Sequence, residues 1–258
     1  MTRKTWDDVA TREAPSWYLD PLVGRQKGRA NIDLISRWTS DRSVNSVLKT
    51  DLFEEAYGDD QILNGLFPEA KLVCAFDHSA GTVSTAAARF PALAAGLTVM
   101  DVTYCGFRSE VFDLVISTST LDHFPTRAHF LTALAELYRV IRPGGLLIIT
   151  LDNPLNPLYH PLKWMSRSKN APFPLGYTPT PNTLRADLRA LSFNLGEEDW
   201  LLHNPRGLST LLFLALRKTM GRRADPWIAR LLSAFEALGN LPTRRFTACF
   251  FCVAARRG

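Results

Sequence analysis

The residues able to do chemistry in this chain cluster where short apolar runs give way to polar turns. Phe112–Ser117 is such a run, and it leads into Ser117-Thr118-Ser119-Thr120-Leu121-Asp122-His123. A histidine titrates near neutrality, so His123 suits a general base taking a proton from a hydroxyl or an acidic carbon. A packing or capping role in the turn is an equal reading of it. Asp122 either orients His123 or caps the next helix. Asp77 closes the run Lys71–Phe76, and its two acceptor oxygens suit a pair of neighbouring hydroxyl donors. A helix cap by Asp77 or Ser79 is the alternative. His78 follows, either flanking a ligand or standing in an exposed loop. Lys49-Thr50-Asp51 closes Val44–Leu48, and Asp101-Val102 closes Leu97–Met100. Asn153 and Asn156 leave the run Leu146–Leu151 on the same side, as substrate contacts or as plain Asn-Pro turns.

These positions need strands and helices in alternation. Phe112–Ser117 is rich in β-branched residues, as a buried strand requires. Ala128–Ile141 places Phe130, Leu131, Leu134, Leu137, Tyr138 and Ile141 at helical spacing. Pro143-Gly144-Gly145 is expected to stop that helix, and Leu146–Leu151 is a second buried strand. Strand, helix and parallel strand form the crossover unit of a doubly wound sheet.

The Phe-Asp-Leu-Val-Ile strand, the Leu-Asp-His-Phe turn and the Glu-Leu-Tyr-Arg-Val-Ile-Arg-Pro-Gly-Gly segment resemble the middle of class I S-adenosylmethionine-dependent methyltransferases. The small-molecule branch is the most similar, and the resemblance covers residues 44–151. It implies a Rossmann-like, doubly wound, mostly parallel seven-stranded α/β sheet with an antiparallel last strand. It also implies S-adenosyl-L-methionine as cofactor. In that frame Asp77 takes the ribose hydroxyls, Asp101 accepts from the adenine amino group, and the Val102 amide meets the ring. Ser117 and His78 would flank the cofactor. The chain departs from the family after its first strand, where alternating glycines are expected. It has Asp51-Leu52-Phe53-Glu54-Glu55-Ala56-Tyr57-Gly58, with only Gly58 left. Either Lys49, Thr50 and Asp51 side chains replace backbone contacts to the amino-acid end of the cofactor, or the pocket has decayed.

The remaining chain supplies additions. Residues 1–43 form an expected N-terminal helical cap, with Trp17 and Tyr18 as lid or packing residues and a helix over Leu22–Trp38. Residues 44–258 form the main domain. Gln61–Phe67 is expected to continue a helix, and residues 158–182 to insert before a short helix at Thr183–Leu191. Tyr177 is the first candidate for a substrate-facing aromatic. Trp200–Arg206 is expected to hold the sixth strand and its exit, and Phe246–Ala255 the last strand. Between them, within residues 207–240, Leu208–Leu238 carries two amphipathic helices broken near Gly221. Those helices suit an apolar substrate pocket, a dimer contact or a peripheral membrane contact; oligomeric state stays open.

The formal net charge is +5, and arginines crowd the last quarter. Interleaved aromatics of a nucleic-acid platform are missing there, and no Asn-Pro-Pro-aromatic tetrapeptide occurs, so an RNA substrate is disfavoured. Four cysteines in apolar context, with no secretory or membrane-spanning pattern, point to a cytoplasmic protein. Cys249 and Cys252 would point to opposite faces of a strand, which argues against a shared metal. The expected activity is methyl transfer to oxygen, nitrogen or carbon of a small molecule. The alternative is a catalytically inactive scaffold with the same fold.

Overall fold

The computed structural model describes residues 20–63, 65–167 and 175–258. Trp17 and Tyr18 lie outside them. Helix α1 (Pro21–Thr39) starts with Asp20 accepting from the Leu22 amide and Pro21 in the first turn. Strand β1 (Ser46–Lys49) is followed by the short helix α2 (Phe53–Tyr57), β2 (Leu72–Asp77), α3 (Ala80–Arg89) and β3 (Leu97–Val99). Then come β4 (Phe112–Thr118), α4 (Arg127–Val140), β5 (Ile141–Asp152), α5 (Tyr159–Met165), α6 (Pro181–Ala190) and β6 (Phe193–Leu201). Helices α7 (Leu208–Met220) and α8 (Asp225–Glu236) precede a helical turn at Arg244–Thr247 and the last strand, β7 (Phe250–Arg257).

The seven strands form one sheet in the order β3-β2-β1-β4-β5-β7-β6. β3, β2, β1, β4 and β5 run parallel, while β7 runs antiparallel to both β5 and β6. Alternate residues of each buried strand serve opposite faces. Leu48, Val115, Leu147, Ile149 and Val253 face α4 and α6 through Phe130, Leu134, Leu137, Leu184 and Leu188. Val47, Leu114, Ile116, Leu146 and Ile148 face α1 through Leu34, Ile35 and Trp38. The N-terminal helix is therefore a layer of the sandwich.

Four local expectations are corrected. The described residues of 61–67 are not helical. Their backbone donors serve side chains instead: Ile62 and Leu63 amides donate to Glu55 Oε1 at 3.1 and 3.3 Å. Helix α4 stops at Val140, ahead of Pro143-Gly144-Gly145, which lies within the span of β5 and turns the chain at Gly144 with φ 76°. The sixth strand is Phe193–Leu201, because Leu202 adopts a left-handed φ of 58° and ends it. The last strand begins at Phe250, since Arg244–Thr247 coils into a helical turn.

Candidate functional site

Sheet order reverses between β1 and β4, and ligands of open α/β sheets bind outside the carboxyl ends of strands at such a point. An open cleft lies there, with a cavity volume of about 110 Å³. Thr50 and Asp51 reach it from the end of β1, Asp77, His78 and Ser79 from β2, Met100, Asp101 and Val102 from β3, and Thr120, His123 and Phe124 from β4.

Each carboxylate is held by local backbone. Asp77 accepts from the Ser79 amide at 2.8 Å and the Leu52 amide at 3.2 Å, tying the turn after β1 to the end of β2. The cap of α3 is Ser79, which accepts from Thr82 N–H. Asp51 accepts from the Phe53 amide at 2.7 Å. Asp101 Oδ1 holds Thr103 through its amide and hydroxyl, and Oδ2 stands 3.9 Å from His78 Nδ1. Burial, then the charges of Glu54 and Asp77, pushes the Asp51 carboxyl well above its ordinary range. Asp77 is also raised, chiefly by burial. Acidic groups so placed favour a cationic ligand.

Not every expected residue reaches the cavity. Lys49 is fully buried and does not line it. Its ammonium donates to the Asp51 carbonyl (2.5 Å), Glu54 Oε2 (3.1 Å) and Glu55 Oε2 (2.8 Å), which occupies all three of its protons. Burial alone would lower its pKa, but the Glu54, Glu55 and Asp51 charges outweigh that and raise it. Lys27 of α1 completes the cluster, bonding Glu54 Oε1 at 3.0 Å and Asp60 Oδ2 at 2.8 Å. Burial opposes ionisation of Glu54, yet the two lysines hold it well below the usual carboxylate range. Gly58 is also behind the wall. A Cβ there would stand 1.9 Å from Asp60 Oδ1, so glycine makes room for this cluster.

Ser117 is buried and meets the site only through Thr50, whose Oγ1 lies 3.0 Å from Ser117 Oγ and 3.1 Å from Thr120 Oγ1. Asp122 is buried and accepts from the Asp152 amide at 2.8 Å, pinning the turn to the end of β5. Burial, then the Asp152 charge, raises its pKa. Asn153 spends its side chain on structure: Nδ2 donates to the Arg245 and Ala248 carbonyls, and Oδ1 accepts from the Leu155 amide. Tyr177 packs edge-on against Phe130 at 5.7 Å and does not line the cavity.

Sequence reading missed Phe53, Phe76, Met100, Thr120 and Phe124 as lining residues. Phe76 and Met100 each directly precede an acid at a strand end, and that adjacency was the available signal. Lys27 had none, because its partners lie far along the chain. The donor set fits S-adenosylmethionine: Asp51 and Asp77 suit its cationic and hydroxyl groups, and Phe76, Met100, Val102 and Phe124 offer apolar walls to its base.

Residues 54–149 match a family model described as a methyltransferase domain. No curated protein matches the chain in sequence. The N-methyltransferase NodS from Bradyrhizobium japonicum, solved with S-adenosylhomocysteine, is 12% identical, with 99% of this chain and 97% of that chain covered and a TM-score of 0.60. A putative sarcosine dimethylglycine methyltransferase from Galdieria sulphuraria is 12% identical over 89% of this chain and 86% of its own, with a TM-score of 0.59. The [4+2]-cyclase SpnF is 17% identical over 89% and 80%, with a TM-score of 0.52. These likenesses are of fold; residues 54–149 carry the match to a methyltransferase domain, and the acidic cavity lies at the β1–β4 switch point of that same fold.

Proposed function

We propose that the protein methylates a small-molecule acceptor on oxygen, nitrogen or carbon, with S-adenosylmethionine as donor. The observation carrying this reading is the joint placement of Asp51, Asp77 and Asp101 around one cavity with Phe76, Met100 and Val102. Asp77 would hold the ribose hydroxyls, Asp101 the adenine amino group with the Val102 amide beside it, and Thr50 and Asp51 the amino-acid end. Lys49, Gly58 and Ser117 act behind that wall as supports. The bound cofactor supplies an activated methyl group on sulfur. The chain's own task is to align the acceptor, exclude water and take up a proton where the acceptor carries one. His123, at the rim beside Thr120 and Phe124, would accept that proton.

The test is calorimetric titration of the full chain with S-adenosylmethionine and S-adenosylhomocysteine, wild type beside Asp77→Ala. Micromolar binding that Asp77→Ala abolishes supports the assignment. A folded protein that binds neither ligand overturns it. A second reading, an inactive scaffold of this fold that no longer binds the cofactor, is favoured by Phe53 standing in the cavity wall where the family expects glycine. The same titration separates the two.

A further inference from the structure

We propose that α5 and α7 present a docking surface for an anionic lipid membrane. Helix α7 turns Ser209 and Phe213 inward, and Phe213 packs with Ala224, Ile228 and Leu232. Its opposite face should then be polar. Instead Leu208, Leu211, Leu212 and Ala215 are exposed at i, i+3, i+4 and i+7, which makes one continuous apolar stripe. Leu208 is 60% and Leu211 67% exposed. Helix α5 abuts the start of this stripe: Leu162 Cδ2 stands 3.2 Å from the point a Cβ on Gly207 would occupy. Farther along α5, Trp164 is 72% and Met165 59% exposed. Scattered apolar residues on a surface are ordinary, but a contiguous stripe such as that of α7 marks an interaction.

Charge selects the partner. No Asp or Glu occurs between Asn153 and Ala186, or between Trp200 and Ala224. Arg167, Lys218, Arg222 and Arg223 are exposed around the apolar group. Apolar side chains that include tryptophan, bordered by exposed cations while the nearest acids, Asp20 and Asp225, are paired with Arg217, suit the boundary of an anionic bilayer. A second copy is disfavoured, because a two-fold contact would bring like charges together. Topology adds a further point. β5 and β6 both run antiparallel to β7, so α5 and α7 leave the same end of the sheet as the cavity. A docked chain would hold its site near the bilayer surface, where an apolar acceptor resides; that clause alone rests on the methyl-transfer reading.

The test is co-sedimentation of the full chain with phosphatidylcholine vesicles, with and without phosphatidylglycerol, at low and high salt. Binding is expected only with phosphatidylglycerol and should weaken with salt. Lys218→Gln and Arg222→Gln should each weaken partition roughly fivefold, from about 1 kcal/mol per basic residue near such a surface. Leu211→Glu should abolish binding while leaving thermal melting and S-adenosylhomocysteine titration as in the wild type. The proposal is overturned if anionic vesicles do not sediment the protein, or if Leu211→Glu binds them as well as the wild type. It is also overturned if light scattering finds a dimer that Leu211→Glu converts to monomers, since a second copy would then cover the face.

Discussion

Asp51 is the residue on which the cavity's charge turns. Its pKa is raised above the ordinary 3.8 in the fold, so the folded chain holds a proton that the unfolded chain releases. Stability carried by that group therefore increases as pH falls from neutrality towards 3.8, and is lost as pH rises through the raised value. Asp77 has the same sign. Asp51→Asn keeps an acceptor for the Phe53 amide but removes the charge. It should raise the melting temperature of the ligand-free protein at pH 7 and flatten its dependence on pH over mildly acid conditions. The same substitution should weaken S-adenosylhomocysteine, whose ammonium would lose its carboxylate. Melting curves across pH, with and without ligand, check both signs. At the rim, His123→Ala should lower kcat more than it changes KM, once an acceptor with a dissociable proton is found.

Among elements, the β1–α2 connection lacks the glycines that the resemblance leads one to expect after the first strand. Where glycines would let backbone approach a ligand, this chain folds a buried ion cluster. Lys49 is the centre of that cluster and donates to one carbonyl and two carboxylates. Lys49→Met would leave Glu54 and Glu55 buried without their main counter-charge. Removing one partner of a buried pair costs about 3–5 kcal/mol, and denaturant unfolding should register a loss of that order. Ligand affinity should fall with it, because Asp51 hangs from the same turn. Helix α1 is locked onto this element by Lys27 and by close backbone approach. A Cβ on Gly28 would lie 2.9 Å from Asp60 Cα. Gly28→Ala should therefore destabilise by about 1–3 kcal/mol, despite the helix preference for alanine. A gain in stability by the same assay would show that the helix can shift without cost.

For the whole molecule, α1 is inseparable from the sheet. Leu34, Ile35 and Trp38 pack on the face formed by Val47, Leu114, Ile116 and Ile148. Trp38 is 5% exposed, and Trp38→Ala should cost about 3–5 kcal/mol through lost burial and the cavity left behind. A fall of several degrees in melting temperature, followed by circular dichroism, checks this. Arg217 of α7 pairs with both Asp20, ahead of α1, and Asp225 of α8, joining the chain's first described residue to its late helices. No described helix is long and apolar enough to cross a membrane.

The sheet was legible in the sequence because buried strands are short apolar runs rich in β-branched residues, as Phe112–Ser117 and Leu146–Leu151 are. Asp77 and Asp101 were legible too, since strand ends fix where a following acid stands. Other features depended on partners distant in sequence. Lys49 and Thr50 are adjacent, yet one is sealed inside and the other lines the cavity, because successive residues leave a strand on opposite sides. Asn153 looked outward as a turn residue; the carbonyls of Arg245 and Ala248 claim it only once β7 lies beside β5. By itself the sequence determined the order of the strands, the long helices between them and the acids at strand ends, through local periodicity and stereochemistry. Tertiary structure alone decided which polar groups meet solvent and which meet one another, because burial and counter-charge are properties of packed neighbours.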